Sequence, residues 1–294
     1  LGLGSDHLRA RNPRLIVGAV TGFGLDGPNS GAPAYDPVIQ AQIGFAAVQS
    51  EGKETTDFVQ TVICDKVTAY TICQAVTAAL YVREQTGEGQ HIDLSMMDAG
   101  MYFLFPDGFM HRTLLDDDVT HEEPLSGLLY QLAETADGGV IMSAATPGQQ
   151  VGLLTSLERL DLFADPRFDS LEKIIANIEE FREELSESLK QFTTDDILER
   201  LEANDVPAAR PLDYDEVFHL EEFMTNGSVD VADHGILGSM RRVMPPTKFS
   251  GTRLTPARDA PAHGEHTEEI LAELGHDEAA IAGLLGQDVA RPPG

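Results

Sequence analysis

A chain of 294 residues with 42% hydrophobic side chains can bury a substantial core, and its length lies above the range where one domain is the default. Its 49 acidic against 20 basic residues, a formal charge of -29, argue against a nucleic-acid partner, which needs clustered Lys and Arg, and against an anionic membrane surface. Two cysteines, Cys64 and Cys73, exclude a disulfide framework and an all-cysteine metal site, and no apolar run reaches membrane-spanning length.

In chain order, the opening "LGLGSDHLRARNPR" lacks the apolar core of a signal peptide. It begins at Leu1 rather than Met, so an upstream segment is expected. "RLIVGAV" at 14–20 reads as a buried strand running into the glycine-rich loop "TGFGLDGP", an α/β signature. "AYDPVIQAQIGFAAVQ" is helix-like beyond Pro37, and "FVQTVIC" reads as another strand. From Lys66 apolar residues recur at three and four, among them Val67, Tyr70, Leu80 and Tyr81, a helix that stops at Gly87 and Gly89. "QHIDLSM" then alternates, with Ile92, Leu94 and Met96 on one face. Strand, helix, strand is the unit of a parallel sheet.

The first lobe is therefore expected at residues 1–113, an acidic linker at 114–124, and a smaller α+β lobe at 125–212. That lobe would open with a hairpin turning at Asp137-Gly138 and continue with acidic amphipathic helices near 170–190 and 194–204. Residues 213–294 read as a helix at "DYDEVFHLEEFM", an extended Pro/Gly-rich return segment, and a helical tail punctuated by glycine. The excess of acid reads either as a solvated surface or as adaptation to high salt, where screening removes self-repulsion.

Asp65 is the first chemical candidate, at the join between "FVQTVIC" and the long helix. An N-cap carboxylate accepts backbone N–H bonds there and faces the positive helix end. The same junction is also where α/β enzymes place reacting groups, and a carboxylate so placed can act as a nucleophile. Position alone leaves both readings open. Taken alone, the glycines of "TGFGLDGP" are ordinary tight turns. Lys66 reads as solvated, Cys64 as inert packing in an apolar strand, and His91, His111, His121, His234 and His266 show no ligand spacing.

Three stretches, "NPRLIVGAVTGFGLDGPNSGAPAYDPVIQAQIGF", "DKVTAYTICQAVTAALYVREQTGEGQHIDLSMMDA" and "APAHGEHTEEILAELG", resemble in order and separation the class III CoA-transferases, the CaiB/BaiF family. The family's nucleophilic aspartate falls at Asp65. The resemblance implies an α/β, Rossmann-like large domain, here lacking its first strands, with a smaller α+β domain, in a homodimer whose chains interlock. It implies CoA transfer from an acyl-CoA thioester to a carboxylic acid through an aspartyl intermediate. Coenzyme A and acyl-CoA enter as substrates, no cofactor is bound permanently and no metal is needed; the setting is reducing and cytoplasmic, with neither nucleic acid nor membrane as partner.

Gly22, Phe23, Gly24, Tyr35 and Asp36 hold places of CoA-contacting residues, while the neighbouring position, often basic in the family, is Ala32 or Pro33. The stretch comparable to the family's glycine-rich lid, "SAATPGQQVG", has only Gly148 and Gly152, which puts lid motion in question. Two alternatives stand beside the transferase: a 2-methylacyl-CoA racemase of the same superfamily, and an inactive CoA-binding fragment. In the racemases a histidine aligns with Tyr35, and a phenol with an ordinary pKa near 10 replaces imidazole poorly.

Overall fold

The computed structural model describes residues 2–50, 57–116, 118, 132–252 and 260–287. The chain divides into two units, Leu1–Pro211 and Leu212–Gly294.

The first unit starts with α1 (Ser5–Arg11) and β1 (Val17–Thr21), then α2 (Asp36–Ile43), α3 (Phe45–Gln49) and α4 (Ile63–Thr86). The chain returns through β2 (His91–Ser95) into α5 (Met96–Gly108). β1 and β2 pair in parallel, from Val17 opposite His91 to Thr21 opposite Ser95, so both carboxyl ends lie at one edge. The crossover expected from the sequence is present. Ile39, Ile43, Phe45, Cys64 and Leu104 form the core that joins α2, α3, α4 and α5.

Two boundaries differ from expectation. Gly44, left-handed at φ 92°, divides the helix after Asp36 into α2 and α3. "FVQTVIC" is not a strand: its last residues open α4 at Ile63, before Lys66, and residues 57–62 run irregularly. The physical reason lies in Gln40. Its side-chain Oε1 accepts from the Val59 N–H at 3.1 Å and its Nε2 donates to the Val59 carbonyl at 3.2 Å. A side-chain amide thus takes the two hydrogen bonds that a neighbouring strand would have taken.

Further along the same unit, β3 (Ala133–Glu134), β4 (Gly139–Met142) and β5 (Ala208–Ala209) form a small antiparallel sheet. Between β4 and β5 lie α6 (Pro147–Ser156), α7 (Leu171–Ala176), α8 (Ile178–Leu189) and α9 (Thr194–Ala203). The hairpin turns at Asp137 as read. The Asp137 carboxylate accepts from the Thr194 N–H at 2.7 Å and from its hydroxyl at 2.9 Å. These bonds, the backbone one foremost, hold its pKa below the usual carboxylate range and cap α9 from a distant part of the chain. The helix expected over 170–190 is split at Asn177, whose amide donates to the carbonyls of Arg167 and Lys173 and so competes with the helical backbone.

The stretch compared with a lid is helical from Pro147 onward. Thr146 and Gln149 cap α6 reciprocally, and a Cβ on Gly152 would fall 2.4 Å from the Asn204 carbonyl oxygen. Gly152 therefore serves close helix packing.

In the second unit a 3-10 turn at Glu216–His219 and α10 (Glu221–Asn226) replace the single helix read at "DYDEVFHLEEFM". The hairpin β6 (Val229–His234) and β7 (Gly238–Val243) follows, not foreseen in the sequence, with Asp230 opposite Arg242 and ion-paired to it at 2.7 Å. His234 is structural, as read. Its Nδ1 accepts from the N–H groups of Ile236 and Leu237 in the turn, so Nε2 carries the proton that it donates to the Ala260 carbonyl at 2.9 Å. The tail forms α11 (Thr267–Glu273) and α12 (Glu278–Gly286). Most of the expected linker at 114–124, His121, and residues 253–259 of the Pro/Gly-rich segment lie outside the described residues.

Candidate active site

Four segments meet at the carboxyl edge of the parallel pair. Thr21, the last residue of β1, accepts through its hydroxyl from the Gly24 N–H at 2.9 Å. The Gly22 carbonyl accepts from the Met97 N–H at 3.1 Å, which ties the glycine loop to the start of α5. A Cβ on Gly22 would fall 2.2 Å from the Ala34 Cβ, so only glycine admits this contact between the loop and the turn before α2. Phe23 and Ala34 pack on the same core as Cys64 and Ile63 of α4. The fold thus brings Gly22, Phe23, Gly24, Tyr35 and Asp36 into one neighbourhood with the start of α4.

Tyr35 and Asp36 are adjacent but point to different surroundings. Tyr35, 74% exposed, precedes α2, whereas Asp36 is 3% exposed. Both Asp36 oxygens are engaged: Oδ1 accepts from Gln40 Nε2 at 2.5 Å and Oδ2 from the Asp65 backbone N–H at 3.0 Å. A buried carboxylate is tolerated when it is so bonded, and here it also sits in the first turn of α2 and beside that of α4, where the peptide dipoles favour negative charge.

Asp65 is not an N-cap. Val62 holds that place and offers no side-chain bond. Asp65 lies two residues inside the helix, and its own N–H is satisfied by Asp36, so its exposed side chain is not spent on capping. Lys66 is exposed, with Nζ at 3.4 Å from the Thr61 hydroxyl.

Cys64 competes with Asp65 as a nucleophile only on paper. It is fully buried; desolvation first, then the charges of Asp36 and Asp65, push its thiol up to about 12. The reactive thiolate is therefore scarce at neutral pH.

Gln40, 1% exposed, was missed by the sequence reading. Its signal was a glutamine four residues after Asp36 on the face of α2 that also carries Ile39 and Ile43. Among the described residues no three His, Cys, Asp or Glu side chains gather as a metal-ion set, and no helix is long and apolar enough to cross a membrane.

The model of CoA-transferase family III matches residues 1–267. The chain is 27% identical over 277 residues to a succinate–glutarate CoA-transferase of Agrobacterium fabrum, covering 93% of this chain and 68% of the relative. It is 30% identical over 292 residues to a succinyl-CoA:mesaconate CoA-transferase of Haloarcula hispanica, covering 92% and 69%. A CaiB/BaiF family protein from Brucella suis superposes with a TM-score of 0.76 at 28% identity, over 93% of this chain and 71% of that one.

The burial of Cys64 predicts its behaviour toward alkylating agents. Iodoacetamide at pH 8 should modify the exposed Cys73 and leave Cys64 unlabelled until the protein is denatured, as read by peptide mapping. Native labelling of Cys64 at a comparable rate would contradict the geometry.

Proposed function

The chain belongs to CoA-transferase family III, and on that premise we propose that it moves CoA from an acyl-CoA thioester to a carboxylic acid through Asp65. The observation that carries this reading is the exposed Asp65 carboxylate at the start of a 24-residue helix, left free because Asp36 supplies the backbone bond.

The steps balance without a redox cofactor. An Asp65 oxygen attacks the donor thioester carbonyl, the C–S bond breaks, and CoA leaves as thiolate from a mixed anhydride. The thiolate then attacks the aspartyl carbonyl of that anhydride and expels the donor acid, which leaves an aspartyl-CoA thioester. The acceptor carboxylate attacks this thioester, forming a second anhydride and freeing the thiolate again. Attack of the thiolate on the acceptor's carbonyl yields the new acyl-CoA and regenerates Asp65.

Gly22, Phe23, Gly24 and Tyr35 are the proposed CoA-facing surface, with Asp36 supporting it from beneath. The names of the two relatives support succinyl-CoA as the first donor to assay and short dicarboxylates as acceptors. Two free thiols fit a reducing cytoplasm.

A homodimer is proposed as well. Tyr70 and Tyr81 on α4 and Tyr102 on α5 are each 70% exposed or more, a burden of aromatic surface that a second copy would relieve. Light scattering at micromolar concentration should give twice the chain mass, and a monomer would contradict it.

Asp65→Asn and Asp65→Ala should each abolish net transfer while leaving the helical circular dichroism unchanged. Hydroxylamine should trap the activated Asp65 carboxyl as a hydroxamate in the unsubstituted protein. Near-normal turnover by the Ala variant would overturn the reading.

A further inference from the structure

We propose that Gln40 is a positioning residue for Asp65, acting through the buried Asp36 carboxylate and through the backbone that leads into α4. This rests on the reading of Asp65 as nucleophile.

The geometry is a chain of contacts whose two linking side chains, Gln40 and Asp36, are both buried. From α2, Gln40 Nε2 reaches Asp36 Oδ1, the Val59 carbonyl and the Thr61 carbonyl, the last two at 3.2 Å. The amide has two hydrogens for these three acceptors, so the two equidistant carbonyls share one. Gln40 Oε1 meanwhile accepts from the Val59 N–H, which fixes the orientation of the amide. One buried side chain therefore determines both where the irregular segment 57–62 runs and which way the Asp36 carboxylate faces. The other Asp36 oxygen holds the Asp65 N–H. α4 has no side-chain N-cap of its own, so this remote carboxylate satisfies an N–H of its first turn. Losing Gln40 releases both holds on the few residues that aim Asp65. Misplacement of a reacting group by about 1 Å costs on the order of 100-fold in rate.

Gln40 cannot touch substrate from its buried position, so its effect should fall on covalent chemistry and not on CoA affinity. The test uses the full chain with succinyl-CoA as donor and hydroxylamine as trap, comparing the parent with Gln40→Met, which keeps length and removes the hydrogen bonds. The expected result is hydroxamate formation at Asp65 slowed by about 100-fold, with the dissociation constant of free CoA within twofold. Hydrogen exchange should quicken at the Val59 and Asp65 amides and stay unchanged later in α4.

A second pair of variants tests the link to Asp36. Gln40→Glu sets two carboxylates face to face, and Asp36→Asn/Gln40→Glu restores one donor to one acceptor, so the double variant should trap faster than the single. Parental trapping by Gln40→Met would overturn the proposal. Equal losses of trapping rate and CoA affinity would overturn it too, since Gln40 would then merely hold the whole site together. Failure of the parent to trap at Asp65 is a different outcome: it refutes the nucleophile itself, and the exchange measurement still decides whether Gln40 fixes the helix start.

Discussion

The hydrogen bond from the Asp65 N–H to the buried Asp36 carboxylate is the constraint on which the site depends. It spans 29 residues of sequence and joins the beginnings of two helices, α2 and α4. Without it the start of α4 would leave the Asp65 N–H needing a partner. A hydrogen bond to a charged group contributes about 1.5–3 kcal/mol, against a desolvation cost of several kcal/mol for a buried ion. A single bond would not suffice. The second bond, from Gln40, and the two helix N-termini make the burial of Asp36 tenable.

That arrangement divides labour among three acidic or thiol groups close in sequence or space. Asp36 is turned inward and supplies structure. Asp65 is turned outward, its backbone already satisfied. Cys64, between helix and core, is disarmed by burial and by the two negative charges beside it. A carboxylate nucleophile suits this setting better than a thiolate would, because Cys64 is buried beside two carboxylates whereas Asp65 is exposed to water.

Much of the fold was legible in local periodicity. The spacing of three and four in α4, the alternation in β2 and the Asp137-Gly138 turn all report on residues that are neighbours in sequence. What escaped depends on distant partners. Residues 58–62 carry the β-branched composition of a strand, yet their ladder partner is a side chain, Gln40. β6 and β7 alternate only partly, and an Asp230–Arg242 pair across the hairpin stands where apolar residues would have announced a strand. Within the candidate site, Asp65 and the glycine loop were singled out through family resemblance, while the inward turn of Asp36 and the hub at Gln40 required the packing of α2 against the entry to α4.

The central claim is that Asp65 carries the CoA thioester, and reductive trapping tests it most directly. The full chain is incubated with succinyl-CoA without acceptor, reduced with borohydride and mapped by mass spectrometry. The account predicts that the peptide containing Cys64 and Asp65 returns with the Asp65 carboxyl converted to a primary alcohol, and that no such change appears when CoA replaces succinyl-CoA. An unmodified Asp65, in protein that transfers CoA to an added carboxylic acid, would contradict it.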